Sequence, residues 1–127
     1  MDVDVATQLV VKNLRAFDMT LRKLGFEPRI PAKVTDLANP KIRKEWMEKR
    51  NLRAFSYIER MAPFRVVDIV IVRNFGQLHR QRVEATDAGT KIPIISRAAL
   101  IKMKSEAGRP KDQEDVRYLR AAQSLER

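Results

Sequence analysis

The segment Arg-Val-Val-Asp-Ile-Val-Ile-Val at residues 65–72 constrains the fold more than any other part of the sequence. After its first residue, Asp68 is the one polar side chain in an otherwise aliphatic run. Such a run is typical of a strand that is covered on both faces, because alternate side chains point to opposite sides of a sheet. We therefore predict a central strand over 65–72, in a sheet with helices packed on it.

A helix precedes this strand near the N-terminus. Five apolar residues recur at steps of three and four and form one helical stripe: Val10, Leu14, Phe17, Leu21 and Leu24. Gly25 predicts the end of this helix, because glycine adopts the left-handed conformation at little cost. Pro28 and Pro31 then keep the chain out of a helix, and a second helix is predicted over 40–50, with proline in its first turn.

The rest of the chain alternates strands and helices. Strands are predicted at 3–6, at 53–58 and, as a hairpin, at 82–86 with 91–95, and helices at 75–81, at 96–107 and from about 112 onward. A turn at 60–64 joins the strand at 53–58 to the central strand, and Ser96 is the expected N-cap of the helix at 96–107. This order predicts a mixed α/β or α+β fold, in which helices pack on a central mixed sheet.

Length and composition are those of one domain. The chain has 127 residues, 44% of them hydrophobic, which is enough for a core and argues against disorder. We expect a single domain over 1–127, with the sheet and helices of the core at 1–96 and a helical hairpin at 97–127. The absence of cysteine excludes a disulfide framework and thiolate chemistry. No stretch approaches the about 20 apolar residues of a membrane span, and the N-terminus lacks a signal-peptide pattern, so we expect a cytoplasmic protein.

The sequence carries a large positive charge. Lys and Arg number 26 and Asp and Glu 16, which gives a formal net charge of +10 at pH 7. An excess of this size favours a polyanionic partner, namely nucleic acid, nucleotide phosphates or an acidic membrane surface. The alternative is a solvated basic surface without a specific partner.

Three aspartates are the candidate metal ligands. Asp2, directly before the first predicted strand, and Asp4 within it lie two residues apart in extended chain, so their side chains point the same way, about 6–7 Å apart along the chain. Asp68 lies within the aliphatic run, where an ionised carboxylate is costly unless it is paired or bound to a metal. The three together match the acids of a two-metal phosphoryl-transfer centre. The alternatives are two solvated acids near the chain start and an ion pair from Asp68 to Arg65 or Arg73.

Three cations form a second candidate site. Lys104, Arg109 and Lys111 flank the end of one predicted helix and the start of the next. Such a turn can bind phosphate through its charge and its free backbone N–H groups. The alternative is a helical hairpin with a charged turn, in which Asp112 is the N-cap of the last helix and Asp115 pairs with a lysine.

Several common sites are excluded. His79 is the only histidine, and without cysteines nearby it does not form a zinc pattern. The sequence has no P-loop and no Gly-x-Gly-x-x-Gly loop. Its few aromatic residues are too scattered for a base-stacking platform.

The C-terminal part carries the most specific resemblance to a known family. It contains Ile-Pro-Ile-Ile-Ser at 92–96 and Ala-Gly-Arg-Pro-Lys-Asp-x-x-Asp at 107–115. Three earlier segments agree with it: Leu-Gly-Phe-Glu-Pro-Arg at 24–29, Asp-Leu-Ala-Asn-Pro at 36–40 and Arg-Val-Val-Asp at 65–68. Along essentially its whole length the chain resembles the minimal nucleotidyltransferase family, and more narrowly the AbiEii-type toxin branch of the DNA-polymerase-β-like superfamily.

The resemblance implies an enzyme that uses Mg²⁺ or Mn²⁺ and a nucleoside triphosphate. It places the family's Asp-x-Asp on Asp2 and Asp4 and the third carboxylate on Asp68, which would help to activate an acceptor hydroxyl. The basic residue that contacts nucleotide phosphates in similar enzymes falls on Lys104. The acceptor in this family is a small molecule, a protein or, in some toxins, the end of a tRNA.

One element of the family is not found. The family has a Gly-Gly or Gly-Ser turn, carried by a strand and a helix, before its Asp-x-Asp strand, whereas Met1 directly precedes Asp2 here. We therefore expect a truncated chain with impaired activity, whose exposed apolar face favours a homodimer or an antitoxin partner. The alternatives are a non-catalytic basic module that binds RNA or another polyanion and a toxin–antitoxin interaction partner.

Overall fold

The computed structural model describes residues 2–63 and 65–125. Within them the fold is α+β, with five α-helices, one 3₁₀ helix and six strands, which confirms the predicted class. The chain divides into two compact units, one up to Phe75 and one from Gly76 onward. The single domain over 1–127 stays a prediction. Phe64, at the end of the predicted turn at 60–64, lies outside the described residues.

A mixed sheet organises the first unit. Along the chain this unit contains β1 (Asp2–Val5), α1 (Val11–Lys23), β2 (Phe26–Pro28), the 3₁₀ helix (Val34–Ala38), α2 (Pro40–Lys49), β3 (Ala54–Glu59) and β4 (Val66–Val70). The strand order is β1-β4-β3-β2, with β4 parallel to β1 and antiparallel to β3. β4 therefore lies inside the sheet, as its aliphatic sequence predicts.

One face of this sheet packs on the helices. Phe55, Tyr57 and Ile69 are fully buried, and they share a face because Phe55 is the register partner of Ile69. They form one cluster with buried residues of α1, the 3₁₀ helix and α2: Leu14, Leu21, Val34, Leu37 and Trp46. Each large apolar side chain buried in this way contributes about 1.5–3 kcal/mol. Because side chains alternate along a strand, Asp68 belongs to the opposite face of the sheet.

Helix α1 buries the middle of its predicted stripe but not the ends. Leu14 and Leu21 are buried within the helix. Val10 and Leu24 flank the helix and are 40% and 64% exposed, so they do not belong to the buried stripe. The helix stops before Gly25, which has a φ of 90° and so adopts the conformation that glycine tolerates best.

Two short elements, β2 and the 3₁₀ helix, are not predicted by the sequence pattern. β2 has three residues, too few for an alternating pattern to be visible, and it ends at Pro28. It is an edge strand, the position where proline is tolerated because half of the backbone groups face away from the sheet. The prolines therefore exclude a helix here, as predicted, but not a strand.

The second unit combines a hairpin with two helices. Helix α3 (Phe75–Arg80) begins at the boundary and is followed by β5 (Val83–Asp87), β6 (Thr90–Ile94), α4 (Arg97–Ala107) and α5 (Pro110–Leu125). β5 and β6 pair antiparallel around Ala88 and Gly89, which both have positive φ, as a type I′ hairpin turn requires. The predicted cap of α4 is confirmed, because the Ser96 hydroxyl accepts a hydrogen bond from the backbone N–H of Ala99 at 3.2 Å.

A hydrogen-bonded chain links the core sheet to α1. The hydroxyl of Tyr57 donates to Asp18 Oδ1 at 2.7 Å, and Arg22 Nε donates to Asp18 Oδ2 at 2.9 Å. The Tyr57 ring is fully buried, so this bond satisfies a hydroxyl that has lost its water. Burial and the bond to Asp18 raise the pKa of Tyr57 above its ordinary value.

Replacing Tyr57 by phenylalanine is expected to lower the free energy of unfolding by about 1–2 kcal/mol, because a hydrogen bond to a charged group is lost without a large cavity. Urea unfolding followed by the fluorescence of Trp46, the only tryptophan, measures the change. Tyr118→Phe is the matched control, because Tyr118 is 70% exposed and its replacement should leave stability unchanged. Equal stability of Tyr57→Phe and the wild type would contradict this account.

The raised pKa of Tyr57 also predicts a loss of stability at alkaline pH. Below the ordinary tyrosine pKa of about 10 the hydroxyl is protonated in both states, and its contribution is complete. As the pH rises above this value the unfolded chain releases the proton first, which favours unfolding. The stability difference between the wild type and Tyr57→Phe should therefore narrow when urea unfolding is repeated above about pH 10. A stability difference between the two proteins that stays the same from neutral pH to above about pH 10 would contradict this prediction.

Candidate functional site

The pairing of β1 with β4 brings two of the three predicted metal ligands side by side. Asp4 is the register partner of Asp68. Neighbouring strands lie about 4.8 Å apart, and paired residues point to the same face of a sheet. Both carboxylates therefore belong to the face opposite the helical core. Asp4 is exposed and Asp68 is half-buried, so the pair is open to solvent on the β1 side.

Asp2 lies on the same face, two residues back along β1, where its register partner is Val66. Two residues of a strand span about 6–7 Å, so Asp2 is farther from Asp68 than Asp4 is. Within residues 2–63 and 65–125, no group of three or more His, Cys, Asp or Glu side chains is placed to hold a metal ion. The sheet thus places Asp4 next to Asp68, and Asp2 lies on the same face but two residues away along β1.

Asp68 has a hydrogen-bond partner that sequence reasoning missed. The hydroxyl of Ser56, on β3, donates to Oδ1 of Asp68. The two residues are register partners in the β3–β4 ladder. Of the two arginines considered as ion-pair partners of Asp68, Arg65 and Arg73, Arg65 has its Nη1 3.4 Å from Glu59 Oε2. The sequence did contain a signal for this contact: a serine between Phe55 and Tyr57 indicates which face of that strand is polar.

The predicted phosphate site lies in the second unit, at the turn between α4 and α5. Lys104 Nζ lies 2.7 Å from Asp115 Oδ2, which confirms that Asp115 pairs with a lysine. Arg109 Nε lies 2.7 Å from Asp112 Oδ2, and Arg109 Nη2 donates to Oδ1 at 3.3 Å. Lys111 is exposed. Two of the three cations therefore have carboxylate partners within their own helical hairpin.

The prediction that Asp112 is the N-cap of the last helix is wrong. Helix α5 begins at Pro110, because proline suits the first helical position, and Asp112 is its third residue. From there its carboxylate accepts a hydrogen bond from the backbone N–H of Arg109 at 3.3 Å, the reach-back contact of a capping box. The side-chain hydrogen bond from Arg109 lowers the pKa of Asp112 below its ordinary value.

Comparison with known proteins assigns no family to the chain. No protein-family model matches it, and no curated protein matches its sequence.

Among the helices of the described residues, none has the length and apolar character needed to cross a membrane.

The Arg109–Asp112 contact predicts how acid affects the second unit. Because the pKa of Asp112 is lowered, its contribution to stability is complete above the ordinary aspartate pKa of about 3.9 and is lost as the pH falls through the lowered value. Arg109→Gln should therefore lower the thermal stability of α5 at neutral pH and weaken its dependence on pH below about 4, as measured by amide hydrogen exchange and circular dichroism.

Arg117→Gln is the control, because it removes the same charge from an exposed position of α5. The interpretation fails if both variants change the acid dependence equally.

Proposed function

We propose that this chain is a cytoplasmic nucleotidyltransferase-like protein that transfers a nucleotidyl group from a nucleoside triphosphate to a hydroxyl acceptor. The observation that carries the proposal is the in-register pair of Asp4 and Asp68 on one sheet face. Two carboxylates side by side on a sheet can hold one divalent cation between them, and Mg²⁺ in proteins is usually held by one or two carboxylates.

The donor set suits Mg²⁺ or Mn²⁺, because both prefer carboxylate oxygens. Mg²⁺ is usually held by one or two protein carboxylates, with substrate phosphates and water as its other ligands. Asp4 and Asp68 would supply the two carboxylates, and Asp2 would hold a coordinated water or a second ion from its position along β1. When bound, the ion polarises the α-phosphate and neutralises the charge that develops on it.

The chain's own residues perform the proton transfer and the binding in this proposal. A bond forms between the acceptor oxygen and the α-phosphorus, and the bond from that phosphorus to pyrophosphate breaks. The carboxylate of Asp68 accepts the proton of the acceptor hydroxyl, which makes it the proposed general base. Lys104, Arg109 and Lys111 are the proposed phosphate contacts of the second unit, where Lys104 and Arg109 would exchange their carboxylate partners for phosphate oxygens.

The acceptor is proposed to be tRNA or another RNA. The formal net charge of +10 supports a polyanionic partner, and the resemblance to the AbiEii-type branch supports a toxin whose target is an RNA end. A homodimer or an antitoxin partner is a further part of this proposal.

The enzyme proposal predicts that Asp68→Asn lowers nucleotide incorporation at least about 100-fold, because the variant loses both the proton acceptor and a metal ligand. The measurement is Mg²⁺-dependent transfer of a labelled nucleotide from each nucleoside triphosphate to total tRNA. Glu45→Gln is the control, because Glu45 is an exposed carboxylate on α2. Transfer that continues unchanged in Asp68→Asn would refute the assigned role.

A basic RNA-binding module without catalysis is the second candidate, and the positive charge of the chain favours it. Binding of this kind weakens steeply as salt rises, because it depends on the release of counterions from phosphates. RNA affinity that is equal in the wild type and Asp68→Asn, without any transfer by the wild type, would support this module over the enzyme.

A further inference from the structure

Ser56 and Asp68 meet at a position of the β3–β4 ladder where side chains approach closely. The backbone N–H of Ile71 donates to Arg53 at 3.1 Å, and that of Glu59 donates to Arg65 at 3.1 Å. Arg53–Ile71 and Glu59–Arg65 are therefore hydrogen-bonded pairs, and the Ser56–Asp68 pair lies three positions from each of them. Because hydrogen-bonded and non-hydrogen-bonded pairs alternate along an antiparallel ladder, Ser56–Asp68 is a non-hydrogen-bonded pair. The Cα atoms of such a pair are about 4.5 Å apart, closer than in the other kind.

This geometry lets a short hydroxyl side chain reach the neighbouring carboxylate directly. The Ser56 hydroxyl donates to Oδ1 of Asp68, and both side chains are half-buried. Ala54, Ser56 and Ile58 share one face of β3, because side chains alternate along a strand. Ser56 is the polar residue among these three, and it is the one that pairs with Asp68. One hydrogen bond uses part of the acceptor capacity of a carboxylate, which has about four lone-pair sites, and leaves the rest for another ligand.

We propose that Ser56 is a positioning residue that orients the Asp68 carboxylate for a divalent cation. This inference rests on the proposed metal role of Asp4 and Asp68. The hydroxyl fixes the rotation of the carboxylate before a cation arrives, so less conformational freedom is lost on binding. Hydrogen-bond partners of ligating carboxylates typically change metal affinity by about 10–100-fold when they are removed.

The test compares two variants of nearly equal shape. Ser56→Thr keeps the hydroxyl, whereas Ser56→Val replaces that hydroxyl by a methyl group, and both residues are favourable in strands. The probe is Mn²⁺ alone, titrated into the full chain and followed by electron paramagnetic resonance of the free ion. We expect Ser56→Val to weaken Mn²⁺ binding by about 10–100-fold and Ser56→Thr to stay within about threefold of the wild type.

The outcomes separate this inference from the proposed function. If the wild type binds Mn²⁺, Asp68→Asn does not, and Ser56→Val binds as tightly as Ser56→Thr, then Ser56 has no positioning role although the metal site stands. If the wild type binds no Mn²⁺, both proposals are overturned. Urea unfolding confirms that each variant is folded, and Ser56→Ala replaces Ser56→Val if valine prevents folding, with the same weakening expected.

Discussion

The parallel pairing of β1 with β4 is the contact on which the candidate site depends. β1 has four residues and forms an edge of its sheet, so the backbone ladder to β4 holds it on one side only. Val5 adds packing against the core, whereas Val3 is 46% exposed. A slip of one residue in this pairing would move Asp4 to the other face of the sheet. The site is therefore only as well defined as the register of a short edge strand.

The two faces of the sheet have separate roles. Phe55, Tyr57 and Ile69 supply one face with apolar area for the core, and Tyr57 connects that face to α1 through Asp18. The helices cover this face, whereas Asp4 and Asp68 lie side by side on the other one.

Local patterns in the sequence predict most elements but not the pairs that they form. The helix at 96–107 and the hairpin follow from Ser96 and from the turn around Ala88 and Gly89, which act within a few residues. The strand order and the register of Asp4 against Asp68 depend on contacts between residues far apart in the chain, and no local pattern specifies them. From the sequence, these acids are grouped only by the chemistry of a two-metal centre and by the family resemblance.

The contact between Ser56 and Asp68 also depends on strand register, which the local sequence does not specify. Its strand was predicted at 53–58, and its neighbours Phe55 and Tyr57 already indicate which face is apolar. The missing information was the register of β3 against β4, which decides that Ser56 rather than Ala54 lies beside Asp68. The start of α5 at Pro110 does not follow from the sequence for a different reason, because an aspartate is favoured both at the N-cap and in the first turn, where Asp112 lies.

The most direct test of the central claim is the effect of Mn²⁺ on the amide resonances of the chain in solution, since the paramagnetic ion broadens signals from nuclei near its binding site. The account predicts that small amounts of Mn²⁺ broaden first the signals of Asp4 and Asp68 and of their neighbours on β1 and β4, while those of α2, which packs on the other face of the sheet, broaden only at higher Mn²⁺ concentrations. Broadening centred elsewhere, or none at all, would contradict the claim that these two carboxylates form a cation site.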